Sequence, residues 1–482
     1  MEQQKIETRQ PSPWTQAPHS HIVPGRYPPA AALYQHGLVT QQAFSLFTDL
    51  YELTMVQAYL AEGMTEEATF SLAVRELPAR RNFLVACGLD QVLAHLESLK
   101  FSDEDINYLK SLGEFSNKLL DWLADFRFTG DVFAMPEGTP VFGNEPILEI
   151  VAPLPQAQLV ETFVINQIHL QTLIASKAAR VVAAAQGRDV VEFGARRIHG
   201  TGTAIQAARA SFIAGATATS NVAAGKEFGL PVVGTMAHSY VQAFSSEVEA
   251  FRKFTSHFPE TTLVVDTYDS LAGVSRVVDL SRELGDDFRV RAIRLDSGNL
   301  AELSKAARKM LNDAGLTGVS IFASGGLDED SIAEVVAIGA PIDAFGVGTR
   351  MGVSADAPSL EIAYKLAEFA GTGRVKLAPG KVVLPGRKQV FRAQANDLAV
   401  GDTIARVEEN LAGTPLLTQV MKGGQRTAPA KSLEIIRDYV KDQITGLPPS
   451  VRGIAPADPV YPVAVSDVLS EYQRQVEQSI TG

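Results

Sequence analysis

A chain of 482 residues, 46% of them hydrophobic, can bury a large core and is long enough for two or more structural units. Its 43 Lys and Arg against 55 Asp and Glu give a net charge of -12, which argues against a nucleic-acid binder held by a generally basic surface and leaves any anionic ligand to a local basic pocket. The single cysteine, Cys87, excludes an intrachain disulfide framework and a cysteine-cluster zinc site, and it fits a reducing, cytoplasmic compartment.

Residues 1–43 mix Pro, Gln, His and charge without the apolar stretch of a signal peptide or a membrane span, and read as a poorly ordered extension. His19 and His21 in that polar arm offer a metal no defined geometry. Residues 44–150 read as a mixed α/β unit: helical spacing in "FTDLYELTMVQAYLAEG" and "GLDQVLAHLESLK", the strand "ATFSLAVREL" between them, and a small antiparallel sheet in "FRFTGDVFAMPEGTPVFGNEPILEIVAPL". A helical stretch from Gln156 to Ala185 follows. Residues 151–373 then carry the strands "RDVVEF", "LPVVGT", "TTLVVDT", "FRVRAIRLDSG", "VSIFASGG" and "IDAFGVGT", each before a helical pattern, with "TATSN" as a short seventh. Repeated β-α units predict a parallel sheet, as a barrel or an open doubly wound sheet, with the ligand at the carboxyl ends of the strands. In residues 374–482, "LPGRKQVFR" gives a turn and strand. Helices around 431–443 and 466–480 are expected to pack back on the N-terminal unit.

Chemistry gathers just after these strands: Arg196 and Arg197; Thr235 and His238; Asp266 and Asp269; Arg294 and Asp296; Ser324, Gly325 and Gly326; and Gly346 to Arg350. A lone histidine is more often packed or solvated than catalytic, but His238 has arginines and carboxylates for company. The glycines of "ASGG" and "GVGT" let backbone amides approach a phosphate, and two such turns in succession favour phosphate binding over plain strand-to-helix turns. Arg196 and Arg197 point to opposite sides of an extended segment, so only one need face an anion. Asp296 and the carboxylates of "DTYDS" can accept ribose hydroxyls or hold a hydrated Mg²⁺; Asp269 and Ser270 also suit a helix cap.

In this order "TDLYELTM", "EFGARR", "TSNV", "GTMAHS", "DTYDS", "RLDSG", "ASGG", "GVGT" and "LPGRKQVFR" resemble nicotinate phosphoribosyltransferases, type II phosphoribosyltransferases, from Phe44 to the C-terminal "YPVAVSDVLSEY". The resemblance implies an irregular β/α barrel, a mixed α/β domain built from N- and C-terminal segments, and a homodimer with active sites at its interface. It implies that nicotinate and phosphoribosyl pyrophosphate give nicotinate mononucleotide while Mg²⁺ and ATP act with the enzyme, ATP phosphorylating His238. Phe193 and, from the other subunit, Tyr51 would stack on the pyridine ring. Thr235 and Arg196 would lie near substrate, Arg294 and Asp296 near the ribose with Mg²⁺ close to Asp296, and Ser324, Gly325, Gly326, Gly346, Gly348 and Thr349 around the 5'-phosphate. Ser220 stands where nicotinamide-using relatives carry an aspartate, and its neutral hydroxyl favours the acid as substrate. Asn299 departs from the aspartate that usually follows "RLDSG", which removes one acceptor charge, and His199 reads as a supporting residue. The competing readings are a nicotinamide phosphoribosyltransferase, a silent nucleotide-binding relative, and an unrelated phosphate-binding barrel with a Schiff-base lysine, for which no strand end supplies the lysine.

Overall fold

The computed structural model describes residues 41–377 and 384–481, so His19, His21 and nearly all of the N-terminal extension lie outside the described residues. Helix Leu50–Glu62 ends on Gly63 in a left-handed conformation and leads into strand β1 (Glu67–Val74). Strands β2 (Asp131–Ala134) and β3 (Pro146–Pro153) follow the helix Leu89–Ser98, and the helix Glu161–Ala185 then carries the chain into a second sheet. That sheet is made of β4 (Asp189–Glu192), β5 (Ala218–Thr219), β6 (Thr262–Val264), β7 (Ala292–Leu295), β8 (Ser320–Ala323) and β9 (Ala344–Val347). The chain returns through β10 (Ile362–Phe369), β11 (Lys388–Ala395), β12 (Leu398–Arg406) and β13 (Thr418–Lys422), then helices Leu433–Thr445 and Asp467–Thr481.

The six strands pair in parallel in the order β5-β4-β9-β8-β7-β6 and curl into a half barrel. Their apolar residues are buried, with Val190, Leu263, Ile293, Leu295, Ile321, Ala323, Phe345 and Val347 at most 1% exposed, because helices cover the sheet. The fold expected from the resemblance, an α/β protein with an irregular parallel barrel, is therefore present.

Three local readings change. "LPVVGT" forms only a single parallel bridge, Val232 to Thr219, and "TATSN" supplies the strand instead. Pro231 has no N–H to give a ladder, and Val232 and Val233 stay exposed, so no burial drives a strand there. The antiparallel segment after Phe126 is divided: Pro140–Val141 pairs with Leu84–Val85 in a two-stranded sheet, and its other strands join a larger one. β1 pairs antiparallel with both β3 and β10, and β2 with β3 and β13, in one seven-stranded sheet that takes β10 from within the stretch given to the barrel. The C-terminal segment, finally, serves both cores: Val390, Leu416, Met421 and Leu469 pack with the N-terminal unit, whereas Ile436, Val440 and Leu447 pack with the barrel.

Candidate active site

The polar residues that follow β6, β7 and β8 converge. Arg294, on β7, donates from Nε to Ser324 Oγ (2.7 Å), from Nη1 to Thr235 Oγ1 (3.0 Å) and from Nη2 to Asp296 Oδ1 (2.6 Å). Ser324 in turn donates to Asp296 Oδ1 at 2.5 Å. One guanidinium thus ties the ends of β7 and β8 to Thr235 in the loop before His238, using the fork geometry that an ammonium lacks. Burial works against the charge of Asp296, but the hydrogen bonds from Ser324 and Arg294, with His238 beside it, hold its carboxyl below the usual range.

His238 opens the short helix His238–Gln242. Its Nδ1 lies 3.1 Å from Thr267 Oγ1, while Nε2 faces Asp296 Oδ2 at 3.5 Å and Asp266 Oδ1 at 4.0 Å. Asp266 Oδ2 accepts the Asp296 amide (2.9 Å) and the Ser297 hydroxyl (2.7 Å), whereas buried Oδ1 has no hydrogen-bond partner among the described residues. Of the partners of His238, Asp266 was among the strand-end residues named from the sequence, whereas Thr267 was not singled out. Their signal was their place directly after the apolar run of β6, but only the fold aims them at the imidazole. Asp266 Oδ1 and Asp296 Oδ2 make a pair of carboxylate oxygens that suits a hydrated Mg²⁺ completing its shell with phosphates and water. No group of three or more His, Cys, Asp or Glu side chains among the described residues is arranged as a metal site.

The glycine turns close tightly on this set. Gly325 has φ +96°, and a Cβ there would sit 1.8 Å from the Asp296 carbonyl oxygen, so only glycine lets the turn after β8 lie against the turn after β7. Gly326 faces open space, and Thr349 begins the four-residue helix Thr349–Gly352. Gly346 lies inside β9, where a Cβ would come 2.8 Å from both the Phe193 and Phe322 rings. Those rings pack at 5.5 Å between centroids, and Gly348 meets the Phe193 carbonyl.

At the other end of the rim, buried Glu192 closes β4, accepting the Thr219 hydroxyl (2.7 Å) and the Gly194 amide. Burial raises its carboxyl above the usual range despite both bonds. Its carbonyl accepts the Ser220 amide at 2.9 Å, so Phe193 and Ser220 follow two strands tied at their ends. Arg196, Arg197 and His199 are exposed on the next turn and make no ion pair among the described residues. Tyr51 stands apart from this set, 47% exposed on the helix Leu50–Glu62, its hydroxyl pushed up by burial and by Glu161 beside it. Asp269 caps the helix Ser270–Leu284 through the Ala272 amide (2.7 Å), and Asn299 caps Leu300–Asp313 through the Glu302 amide (3.3 Å). Asn299 is thus bound to its own helix, a task that asparagine and aspartate perform equally well.

A curled parallel half barrel joined to an antiparallel sheet, with these groups on its carboxyl edge, places the protein in the type II phosphoribosyltransferase class. Residues 46–169 match the nicotinate phosphoribosyltransferase N-terminal domain, residues 174–363 the quinolinate phosphoribosyl transferase C-terminal domain, and residues 405–473 the nicotinate phosphoribosyltransferase C-terminal domain. The chain is 54% identical to the nicotinate phosphoribosyltransferase pncB2 of Mycobacterium tuberculosis over 89% of this chain and 93% of that one. It is 42% identical to the nicotinate phosphoribosyltransferase of Bacillus subtilis over 77% of each. The crystal structure of human nicotinic acid phosphoribosyltransferase superposes with a TM-score of 0.80 at 27% identity, covering 89% of this chain and all of that one. The protein belongs to the nicotinate phosphoribosyltransferase family.

Proposed function

We propose that the protein converts nicotinate, phosphoribosyl pyrophosphate, ATP and water to nicotinate mononucleotide, pyrophosphate, ADP and phosphate, a ligase reaction of NAD biosynthesis, in the cytoplasm. The observation that carries this reading is the hydrogen-bonded set of Arg294, Asp296, Ser324 and Thr235 with His238 against its carboxylate. Facing two carboxylates, Nε2 is the nitrogen that keeps the proton; Nδ1 then holds the lone pair, to which the Thr267 hydroxyl donates. Nδ1 is therefore the nucleophile toward the γ-phosphorus of ATP: an N–P bond forms, the bond to the ADP oxygen breaks, and water later releases phosphate.

In the transfer itself the pyridine nitrogen bonds to the anomeric carbon as its bond to pyrophosphate breaks, so positive charge grows on the sugar and negative charge on the leaving group. Asp296 is placed for the former and Arg294 for the latter. Bound Mg²⁺ would neutralise the leaving pyrophosphate, with Asp266 and Asp296 as the residues to hold it. Phe193 offers one apolar face to the base, and the exposure of Tyr51 suits a residue that covers the other face in a partner subunit of a homodimer. Ser220 and Arg196 favour a carboxylate over an amide. Ser324, Gly325, Gly326, Gly346, Gly348 and Thr349 line or shape the 5'-phosphate subsite, Gly346 and Gly348 by letting the rings and the turn close.

The test is steady-state product formation from nicotinate, with nicotinamide as control, with and without Mg-ATP, in the unaltered protein and in His238→Ala. Use of nicotinate alone, with ATP stimulation lost in the variant, is the expected result. Phosphoribosyl pyrophosphate binding without product from either base would overturn the reading in favour of a silent relative.

A further inference from the structure

Beneath the two glycine turns lies a buried ionic cluster that touches no part of the rim. Lys177 and Arg180 project from the helix Glu161–Ala185, where both are buried. Lys177 Nζ pairs with Glu329 Oε2 and, at 2.7 Å, with Asp356 Oδ1; Arg180 Nε reaches Glu329 Oε1 at 2.9 Å. Arg81, from the N-terminal unit, binds both oxygens of Asp356 (2.6 and 3.1 Å) and the Ser354 hydroxyl (3.2 Å). The side chains of Lys177, Arg81 and Glu329 are at most 3% exposed. Burial alone would raise the Asp356 carboxyl, but the hydrogen bonds from Arg81 and Lys177 hold it far below the usual range.

The two acids have a telling place in the chain. Glu329 is the first residue of the helix Glu329–Ala337, three positions after Gly326, and Asp356 follows the helix Thr349–Gly352 that leaves the turn at Gly348. On the outer side, Asp328, which caps the first of these helices, pairs with Arg350 of the second. The two turns are thus tied twice, by an exposed arginine above and a buried lysine below. A buried pair is a poor source of stability compared with an apolar packing of the same volume, so geometry is the better reason to keep one.

We infer that Lys177 is a positioning residue which, through Glu329 and Asp356, sets the spacing of the turns after β8 and β9 and so the fit of the phosphate of phosphoribosyl pyrophosphate. The inference rests on the functional reading above. Lys177 touches no substrate; it holds the two segments whose backbone amides must reach the same phosphate, and a shift of one ångström between them degrades a site of this kind strongly.

Lys177→Met and Asp356→Asn test it, because each leaves the remaining acids with an arginine or lysine partner. KM for phosphoribosyl pyrophosphate, KM for nicotinate and kcat are measured beside the calorimetric affinity for inorganic phosphate, which needs no turnover. Lys177→Met should raise the phosphoribosyl pyrophosphate KM by roughly tenfold or more and weaken phosphate in parallel, with the nicotinate KM within about twofold; Asp356→Asn should do the same by about threefold. Folded variants that keep both constants and lose only thermal stability would overturn the inference. If Lys177→Met does not fold, Asp356→Asn decides by the same constants. An unaltered protein that makes no mononucleotide would sink the functional reading instead, and phosphate affinity in the variants would then decide this one.

Discussion

Two clusters built from the same chemistry stand in different parts of the molecule. On β11 and β12, Arg392 donates from Nη2 (2.6 Å) and Nε (3.0 Å) to Asp402, and from Nη2 to the Pro140 carbonyl (2.8 Å), while Tyr461 donates to the same acid (2.8 Å). Arg392 and Asp402 are 3% and 2% exposed. On the barrel rim, Arg294, Asp296 and two hydroxyls form a similar set, but it opens onto His238, whose side chain is 36% exposed, and beside it Asp266 Oδ1 has no hydrogen-bond partner among the described residues. The first cluster, with buried Glu145 against Asp402, is sealed from solvent and serves cohesion. The second leaves bonding capacity facing outward. Residue type does not distinguish the two clusters; an opening to solvent does.

Substitutions can break this comparison from either side. Arg392→Ala strands a buried carboxylate and should cost about 3–5 kcal/mol in denaturant unfolding, with unchanged KM values in the protein that stays folded. Asp296→Asn should do the reverse, lowering kcat/KM by about 10²–10³ while unfolding stability moves by less than ~1 kcal/mol. If the rim variant unfolded and the β11–β12 variant stayed stable but inactive, the distinction would be wrong. Gly346→Ala should cost about 1–3 kcal/mol, because its methyl must displace Phe193 and Phe322, and it should raise the KM for the base as Phe193 turns; a thermal melt and one saturation curve check both.

A smaller effect belongs to Glu52, a fully buried acid near Tyr51 that burial raises from its ordinary 4.5 to about 7. Between those two pH values the unfolded chain loses this proton and the folded one keeps it, so this group makes stability fall as pH rises through the window. Melting temperature against pH should be flatter there in Glu52→Gln. Smallest of all, Asn299→Asp keeps the helix cap and should change neither stability by more than ~0.5 kcal/mol nor the phosphoribosyl pyrophosphate KM measurably.

The half barrel was legible because each strand is a short apolar run ending in a polar residue, a pattern contained within a few neighbours. Arg294, Asp296 and Ser324 could be named from their positions after such runs. What was not legible depends on distant partners. "LPVVGT" reads as a strand by itself, yet Thr219 takes the strand position because β4 lies beside it. β10 escaped because Lys365 and Glu368 interrupt its apolar pattern, and its pairing with β1 joins segments from opposite parts of the chain. The orientation of Asp266 and Thr267 toward His238, and the link from Lys177 to two separate helices, are likewise set only when strands and helices are assembled.

The seven-stranded sheet has a consequence for how the protein is made. The half-barrel strands span one continuous stretch, from β4 to β9, whereas the other sheet needs β13, at residues 418–422, to cover β2. On the ribosome the N-terminal strands emerge first yet are finished last. Until β13 arrives, β2 carries a bare sheet edge, the kind of surface that pairs with other nascent chains. The order of synthesis and the order of completion therefore run in opposite directions, and a nascent chain halted before β13 would be the form most in need of a chaperone.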